Sequence, residues 1–420
     1  MAGKQRFVKR RALKLAGAAA GSLAALAALK RLEALTIPSP DRFVGPHPEY
    51  AADVIVYRDG EYAVAVDSKG REIARSSDLA AVVERIQGEY PDGLKMGIGI
   101  GKFMVSSRID ITVDNVAIHG HGWSTVLELD GGVDDDMFHV TGDFFKLVGV
   151  RLKGNKTNNS SGNGVHLDGS LLPEVRGCYI EDFAGHGILV ENQGVAIIVA
   201  NRVVGNGVNG IRLGSLSDDS FIAFNDIGSN GYHGIGIGTV ARVKVIGNNI
   251  YLNGWFGIDL YTASRNYVIG NTITDNAQSI SVGAAIRIHG SSSDNGRGNI
   301  VIGNELHGRG ETGNHGVMIT GYANRNVVAG NTIVNVDVGV KEQDDADYNI
   351  IEGNIIYDTL GSKVLLVGDH SYADDHVYDV SSLPTDGFVL KKPVLAYDSG
   401  SGAYYIAVWD GSAWRKVQLS

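Results

Sequence analysis

Arg212, Asp259 and Arg287 fall in one row of a repeated pattern, and Tyr261 and His289 fall in the next. A guanidinium in such a row can clamp a carboxylate through paired hydrogen bonds. An imidazole or a phenol can move a proton, and a carboxylate can orient the guanidinium or help to bind calcium. β-Elimination from a uronic acid polymer needs this set: a cation on the carboxylate, a base for the C5 proton and an acid for the leaving oxygen. Arg212 or Arg287 fits the first role, and His289 or Tyr261 the proton transfer. Gly236 and Gly238 are expected to leave a hollow one coil wide, walled by Arg212 on one side and by Asp259, Tyr261, Arg287 and His289 on the other. Such a hollow suits one sugar ring, and Lys341 extends the row as a further cation. The competing assignment for Asp259 and Arg287 is a cross-strand ion pair worth under about 1 kcal/mol.

These rows exist only if the chain repeats, and between residues 163 and 361 it does. A small or polar residue, Gly, apolar, any, apolar recurs at Gly164, Gly187, Gly210, Gly234, Gly257, Ala285, Gly316 and Gly339, in steps of 23 to 31 residues. About a dozen residues later comes apolar-x-x-Asn-x-apolar, with Asn201, Asn225, Asn248, Asn271, Asn304, Asn331 and Asn354. A period of this length signals stacked units, because one repeat cannot bury its apolar face alone. The apolar residues alternate two apart on β-branched runs, which is strand spacing. At roughly 3.3 Å per residue, each repeat is enough chain for one three-sided coil. Stacking then puts parallel strands into three sheets around a filled core, with right-handed crossovers. The bend before each Asn needs a residue that tolerates left-handed backbone angles, as Gly and Asn do. Amides stacked in register can satisfy one another.

That stacked row resembles the asparagine ladder of the right-handed parallel β-helix proteins, and the chain resembles the pectate-lyase-like superfamily over roughly residues 80–367. The resemblance implies an all-β, three-sheet parallel β-helix. It leaves activity open, since lyases, hydrolases, epimerases, viral tailspikes and inert surface proteins share the fold. Phe256-Gly257-Ile258-Asp259 is similar to the opening of the mannuronan epimerase and alginate lyase motif, with Leu260-Tyr261 standing where that motif has Pro-His. Asp218-Asp219 and Gly185-His186-Gly187 resemble polygalacturonase motifs in reversed chain order. His186, His233 and His315 share the slot before the repeat Gly, so they are read as repeat residues.

Distances weigh against hydrolysis on this row. A two-carboxylate glycosidase needs its acids about 5 to 9.5 Å apart. Asp259 and Glu191 are three coils apart, roughly 14 Å, so a loop carboxylate such as Asp294 would have to serve. The longer steps place loops at 277–283, 291–298 and 308–314 beside the strand of Arg287 and His289, as a binding rim or as surface decoration. The acidic turns Asp134-Asp135-Asp136 and Asp344-Asp345-Ala346-Asp347 are calcium candidates without the spacing of a known calcium loop, and read as solvated turns. Cys178, the single cysteine, sits in a ladder slot as core filler. Glu342 falls where the repeat wants an inward apolar residue, which predicts a distorted coil at Gly339.

The ends of the chain break the period. Residues 1–37 set Lys4, Arg6, Lys9, Arg10, Arg11 and Lys14 before an Ala/Leu/Gly run, the shape of an export signal and similar to a twin-arginine one; the alternative is a retained anchor. This segment takes eight Lys/Arg and one Glu from totals of 37 and 47, leaving 29 basic residues against 46 acidic ones, which argues against nucleic-acid binding. Segment 38–79 reads as a β-hairpin turning at Asp59-Gly60. A helix capped by Ser77, with Leu79, Val82, Val83 and Ile86 on one face and Gly88 at its end, would cover the open end of the β-helix, 80–367. Segment 368–420 reads as a small antiparallel module of strands at 394–397, 404–409 and 414–419, an end cap or a means of forming a homotrimer. The reading is an exported or surface protein that meets a polysaccharide or glycan, with lyase or epimerase activity as its sharper form and calcium as the one cofactor left open. Its rival is a non-catalytic fibre or attachment protein, cellular or viral.

Overall fold

The computed structural model describes residues 52–192, 194–368 and 371–373, and gives the backbone of strands Tyr378–Asp379, Val394–Asp398, Ala403–Trp409 and Trp414–Gln418. The predicted export segment 1–37 lies outside the described residues. Among those described, no helix is long and apolar enough to cross a membrane. The chain divides into two compact units between Ile258 and Asp259.

In the unit before Asp259, strands alternate among three parallel sheets. The first sheet runs from Leu94–Ile98 through Val116–His119, Lys146–Val148, Glu174–Arg176, Ile197–Val199 and Phe221–Ala223 to Lys244–Ile246. The second runs from Gly101–Val105 to Asn249–Tyr251. The third holds Ile109–Ile111, Phe138–Val140, Val165–Asp168, Ile188–Glu191, Ile211–Leu213 and Ile235–Gly238. Register is kept without slip along the third sheet: His166 faces Leu189, Leu189 faces Arg212, and Arg212 faces Gly236. Inward residues such as Val165, Leu167, Ile188, Val190, Ile211 and Leu213 are fully buried, so the period-2 pattern decides which side chains look outward.

The predicted hairpin forms with Asp59 opposite Tyr62, and its first strand pairs in parallel with Leu94–Ile98. The helix spans Leu79–Glu89 and buries the predicted apolar face. Its N-cap is Asp78, not Ser77: the Asp78 carboxylate accepts from the amide of Ala80 at 3.1 Å and from the amide of Ser106 at 2.9 Å. Gly88 lies inside the helix, which closes one residue later. Gln87 fastens it to the first coil, donating to the Asp110 carbonyl and accepting from the Thr112 amide.

The unit from Asp259 has the same three-sheet plan, with two strands of eight residues. Gly283–Gly290 pairs with Asn314–Gly321 from Gly283 opposite Asn314 to Gly290 opposite Gly321, and Val340–Glu342 follows in register. That regular pairing corrects the expected distortion at Gly339. Glu342 is fully buried, yet Asn349 Nδ2 and Ser371 Oγ donate to it at 2.8 and 2.7 Å, so the inward carboxyl is hydrogen-bonded within the protein. Strands Val394–Asp398, Ala403–Trp409 and Trp414–Gln418 form the expected antiparallel meander.

The ladders are more numerous than the sequence suggested. In each, the side-chain oxygen of one coil's Asn accepts both the backbone and the side-chain N–H of the Asn before it. Asn201, Asn225 and Asn248 form one such run, and Asn206, Asn230 and Asn253 a second. The later unit has Asn271 to Asn354 and a further run from Asn266 through Asn299 and Asn326 to Asn349. The left-handed residue at the first bend is the one before the Asn, as at Ala200, Phe224, Gly247 and Gly303, and not the Asn. Cys178 heads the first run, its amide donating to Asn201 Oδ1, and burial pushes its thiol up to about 12.

Candidate functional site

Arg212 projects from the third sheet of the first unit and lies against the two glycines expected to leave a hollow. A Cβ on Gly238 would sit 2.5 Å from Nη2, and one on Gly236 3.3 Å from Nη1. The glycines therefore make room for a flat guanidinium, and the hollow is occupied by the arginine. Among the described residues Arg212 makes no hydrogen bond and no ion pair, which leaves a half-buried cation with its donors unspent. Its charge, after burial, helps to push His186 down to about 4.

His186 belongs to a further polar column. Asn163 Oδ1 accepts from the His186 amide, His186 Nδ1 from the Asn209 amide, Asn209 Oδ1 from the His233 amide, and His233 Nδ1 from the Phe256 amide, at 2.7 to 3.3 Å. Both imidazoles act as acceptors, which fits the reading of the pre-Gly histidines as repeat residues. Asp218 and Asp219 are likewise taken up by Arg242, at 3.0 and 2.9 Å.

From Asp259 onward the predicted residues come together as a second cluster. Asp259 is 3 % exposed, and both its oxygens are held by Arg287, at 2.8 Å from Nε and 2.9 Å from Nη2. The competing ion-pair assignment is thus realised, in a buried bidentate form that spends two of the five Arg287 donors. Tyr261 is 44 % exposed; its ring stacks on His289 at 4.9 Å and 14°, and Arg287 lies 5.8 Å from its centroid. His289 Nδ1 lies 2.9 Å from Thr320 Oγ1, and burial followed by the Arg287 charge holds its pKa below the ordinary range. A neutral imidazole beside an exposed phenol can accept a proton at neutral pH. Two coils on from Arg287, through Met318, Lys341 points its Nζ at His315 Nε2, 3.3 Å away. The loop carboxylate Asp294 pairs with Arg297 and is otherwise exposed.

The sequence reading missed a third cluster, on the third sheet of the first unit. His139 reaches Asp110 at 3.2 Å and Asp168 at 3.4 Å; His166 reaches Asp136 at 2.8 Å and Glu191 at 3.2 Å. The two imidazole rings are 5.2 Å apart. His166, Asp168 and Glu191 stand at the outward positions of the first readable coils, whereas Asp110, Asp136 and His139 precede the first readable repeat. The acidic turns meant for calcium are engaged in hydrogen bonds: Asp134 with Ser160, Asp136 with Asn163 and His166, and Asp344 with the Gly321 amide. Among the described residues no group of three or more His, Cys, Asp or Glu is arranged to hold a metal ion.

A family model described as "Right handed beta helix region" matches residues 99–222 and 186–308. No curated protein matches the sequence. Among solved structures, the A-module of the mannuronan C-5 epimerase AlgE6 of Azotobacter vinelandii is 18% identical, with 70% of this chain and 92% of that one covered and a TM-score of 0.51. The Dettilon tailspike protein is 14% identical, covering 79% and 72%, with a TM-score of 0.54. DFA-IIIase from Arthrobacter chlorophenolicus, in complex with DFA-III, is 14% identical, covering 74% and 93%, with a TM-score of 0.51.

Proposed function

Because the chain belongs to the right-handed β-helix family, we propose that it binds an acidic polysaccharide or glycan on the outer face of its third sheet. The observation that carries this reading is Arg212, an arginine with no hydrogen bond or ion pair among the described residues, laid on a glycine floor. A planar guanidinium with free donors suits a sugar carboxylate, and a rigid β-sheet holds it where the ligand finds it. In the unit from Asp259, taken by itself, the Tyr261–His289 pair offers a ring face for a pyranose and a neutral base beside it. Lyase or epimerase chemistry on that unit is the sharper form of the proposal, with Tyr261 or His289 moving the proton and Arg287, oriented by Asp259, as the cation. Lys341 adds a further cation. Export through the segment 1–37 would bring the protein to such polymers outside the cell, consistent with named similarities to an epimerase acting on mannuronan and to a tailspike.

The test is a panel of uronic and neutral polymers, assayed for binding and for the absorbance of unsaturated products. Arg212→Ala is expected to weaken binding of uronic polymers by about tenfold to a hundredfold, as for a lost charge-assisted hydrogen bond, and to leave neutral ones unchanged. Binding that is indifferent to Arg212 would remove the proposal. The bidentate pairing of Arg287 with buried Asp259 favours the rival reading of an attachment protein without turnover. Solution mass would then show a trimer, and every polymer would be recovered intact.

A further inference from the structure

The missed cluster has the layout of a hydrolytic centre. Asp168 and Glu191 are register partners on adjacent strands of the third sheet, and both look outward. Adjacent strands lie about 4.8 Å apart, so two carboxyl groups projecting side by side fall near the 5 to 5.5 Å of retaining glycosidases and short of the 6.5 Å or more that an inverting one needs. Each is backed by a separate imidazole. His139 bridges Asp168 to Asp110, and Asn192 Nδ2 donates to Asp168 at 2.9 Å, so this carboxylate is held ionised. His166 is anchored at Nδ1 by Asp136. Its Nε2 is buried, makes no hydrogen bond among the described residues and lies 3.2 Å from Glu191 Oε1. Against its burial, the carboxylates of Asp136, Glu191 and Asp168 raise the His166 pKa, so the imidazolium stands 3.2 Å from Glu191 Oε1 as the proton source through which Glu191 is charged. One coil beyond Glu191 in the same sheet stands Arg212.

We propose that Asp168 and Glu191 hydrolyse a glycosidic bond in the acidic glycan that Arg212 holds, with His139 and His166 as positioning residues. An Asp168 oxygen attacks the anomeric carbon, the C1–O bond breaks, and the leaving oxygen takes the proton of Glu191. Glu191, now ionised, removes a proton from water, whose oxygen replaces Asp168 at C1 and restores both groups. One water is consumed and no oxidant or cofactor enters. The inference rests on the glycan reading, and the experiment separates the two.

Wild type, Asp168→Asn, Glu191→Gln and Arg212→Ala are incubated with uronic oligosaccharides. Reducing ends, unsaturated-product absorbance, anomeric configuration by NMR and binding are all measured. The expected result is release of reducing ends without absorbance, with the anomer retained. Asp168→Asn and Glu191→Gln should lower that release at least a hundredfold with binding kept, and Arg212→Ala should lower binding. His166→Gln should move the acid limb of the pH profile of kcat, which a purely structural role would not do. Binding without reducing-end release, or release unaffected by Asp168→Asn and Glu191→Gln, overturns this inference alone. Absence of binding to any polymer overturns the glycan reading as well.

Discussion

At Asp259 and Arg287 the structure turns a catalytic question into one of stability. Truncating Arg287 leaves a carboxylate buried without its counter-charge, which costs about 3–5 kcal/mol. Loss of turnover in Arg287→Ala would therefore not identify a catalytic residue. Urea unfolding should show Arg287→Ala well below wild type and the double variant Asp259→Asn/Arg287→Gln closer to it; equal stability of the two would mean that the pair is not buried in solution. His186 gives a second expectation. Its folded pKa is about 4 against about 6.5 unfolded, so the unfolded chain takes up the proton first on acidification. Stability present above pH 6.5 should fall as pH drops toward 4, by on the order of 3 kcal/mol. His186→Asn, which keeps an acceptor toward the Asn209 amide, should flatten that limb of a stability–pH curve.

The ladders set what single substitutions cost within a coil. Asn304 accepts from the Asn271 backbone and side chain and donates to Val268 and Asn331. Asn304→Ala strands those buried groups, for an expected loss of about 2–4 kcal/mol in denaturant unfolding. A loss below 1 kcal/mol would show that water replaces the amide. One ladder was legible in the sequence because its Asn recurs in every readable coil, flanked by apolar residues at fixed offsets. The others went unread although Asn206, Asn230 and Asn253 each follow, and Asn266, Asn299, Asn326 and Asn349 each precede, that Asn by five residues. Only the pre-Gly column, which alternates Asn and His, shows no single letter at a constant step. Of the candidate site, the outward row was legible from the period-2 pattern, but its pairing was not. Whether Arg287 meets a ligand or Asp259 depends on side-chain direction, and the glycine hollow could not be told from a bed for Arg212.

For the molecule as a whole, the informative position is where a unit stops. The run from Asn266 ends as the Asn349 amide donates to Ser371 Oγ and Asn349 Nδ2 to Glu342. Burial raises Glu342 to about 7 against the stronger acidity of an exposed glutamate. The sign is opposite to that of His186: stability is full below about pH 4.5 and declines as pH rises through 7, by on the order of 3 kcal/mol. Glu342→Gln should abolish that decline, read as a thermal midpoint that no longer falls between pH 6 and 8.

Glu342 and Ser371 also act as a stop signal in a code of otherwise interchangeable modules. An engineer wishing to splice in another winding would have to erase it, returning an aliphatic side chain to 342 and an amide to 371. Any relative of greater reach should already carry those two letters.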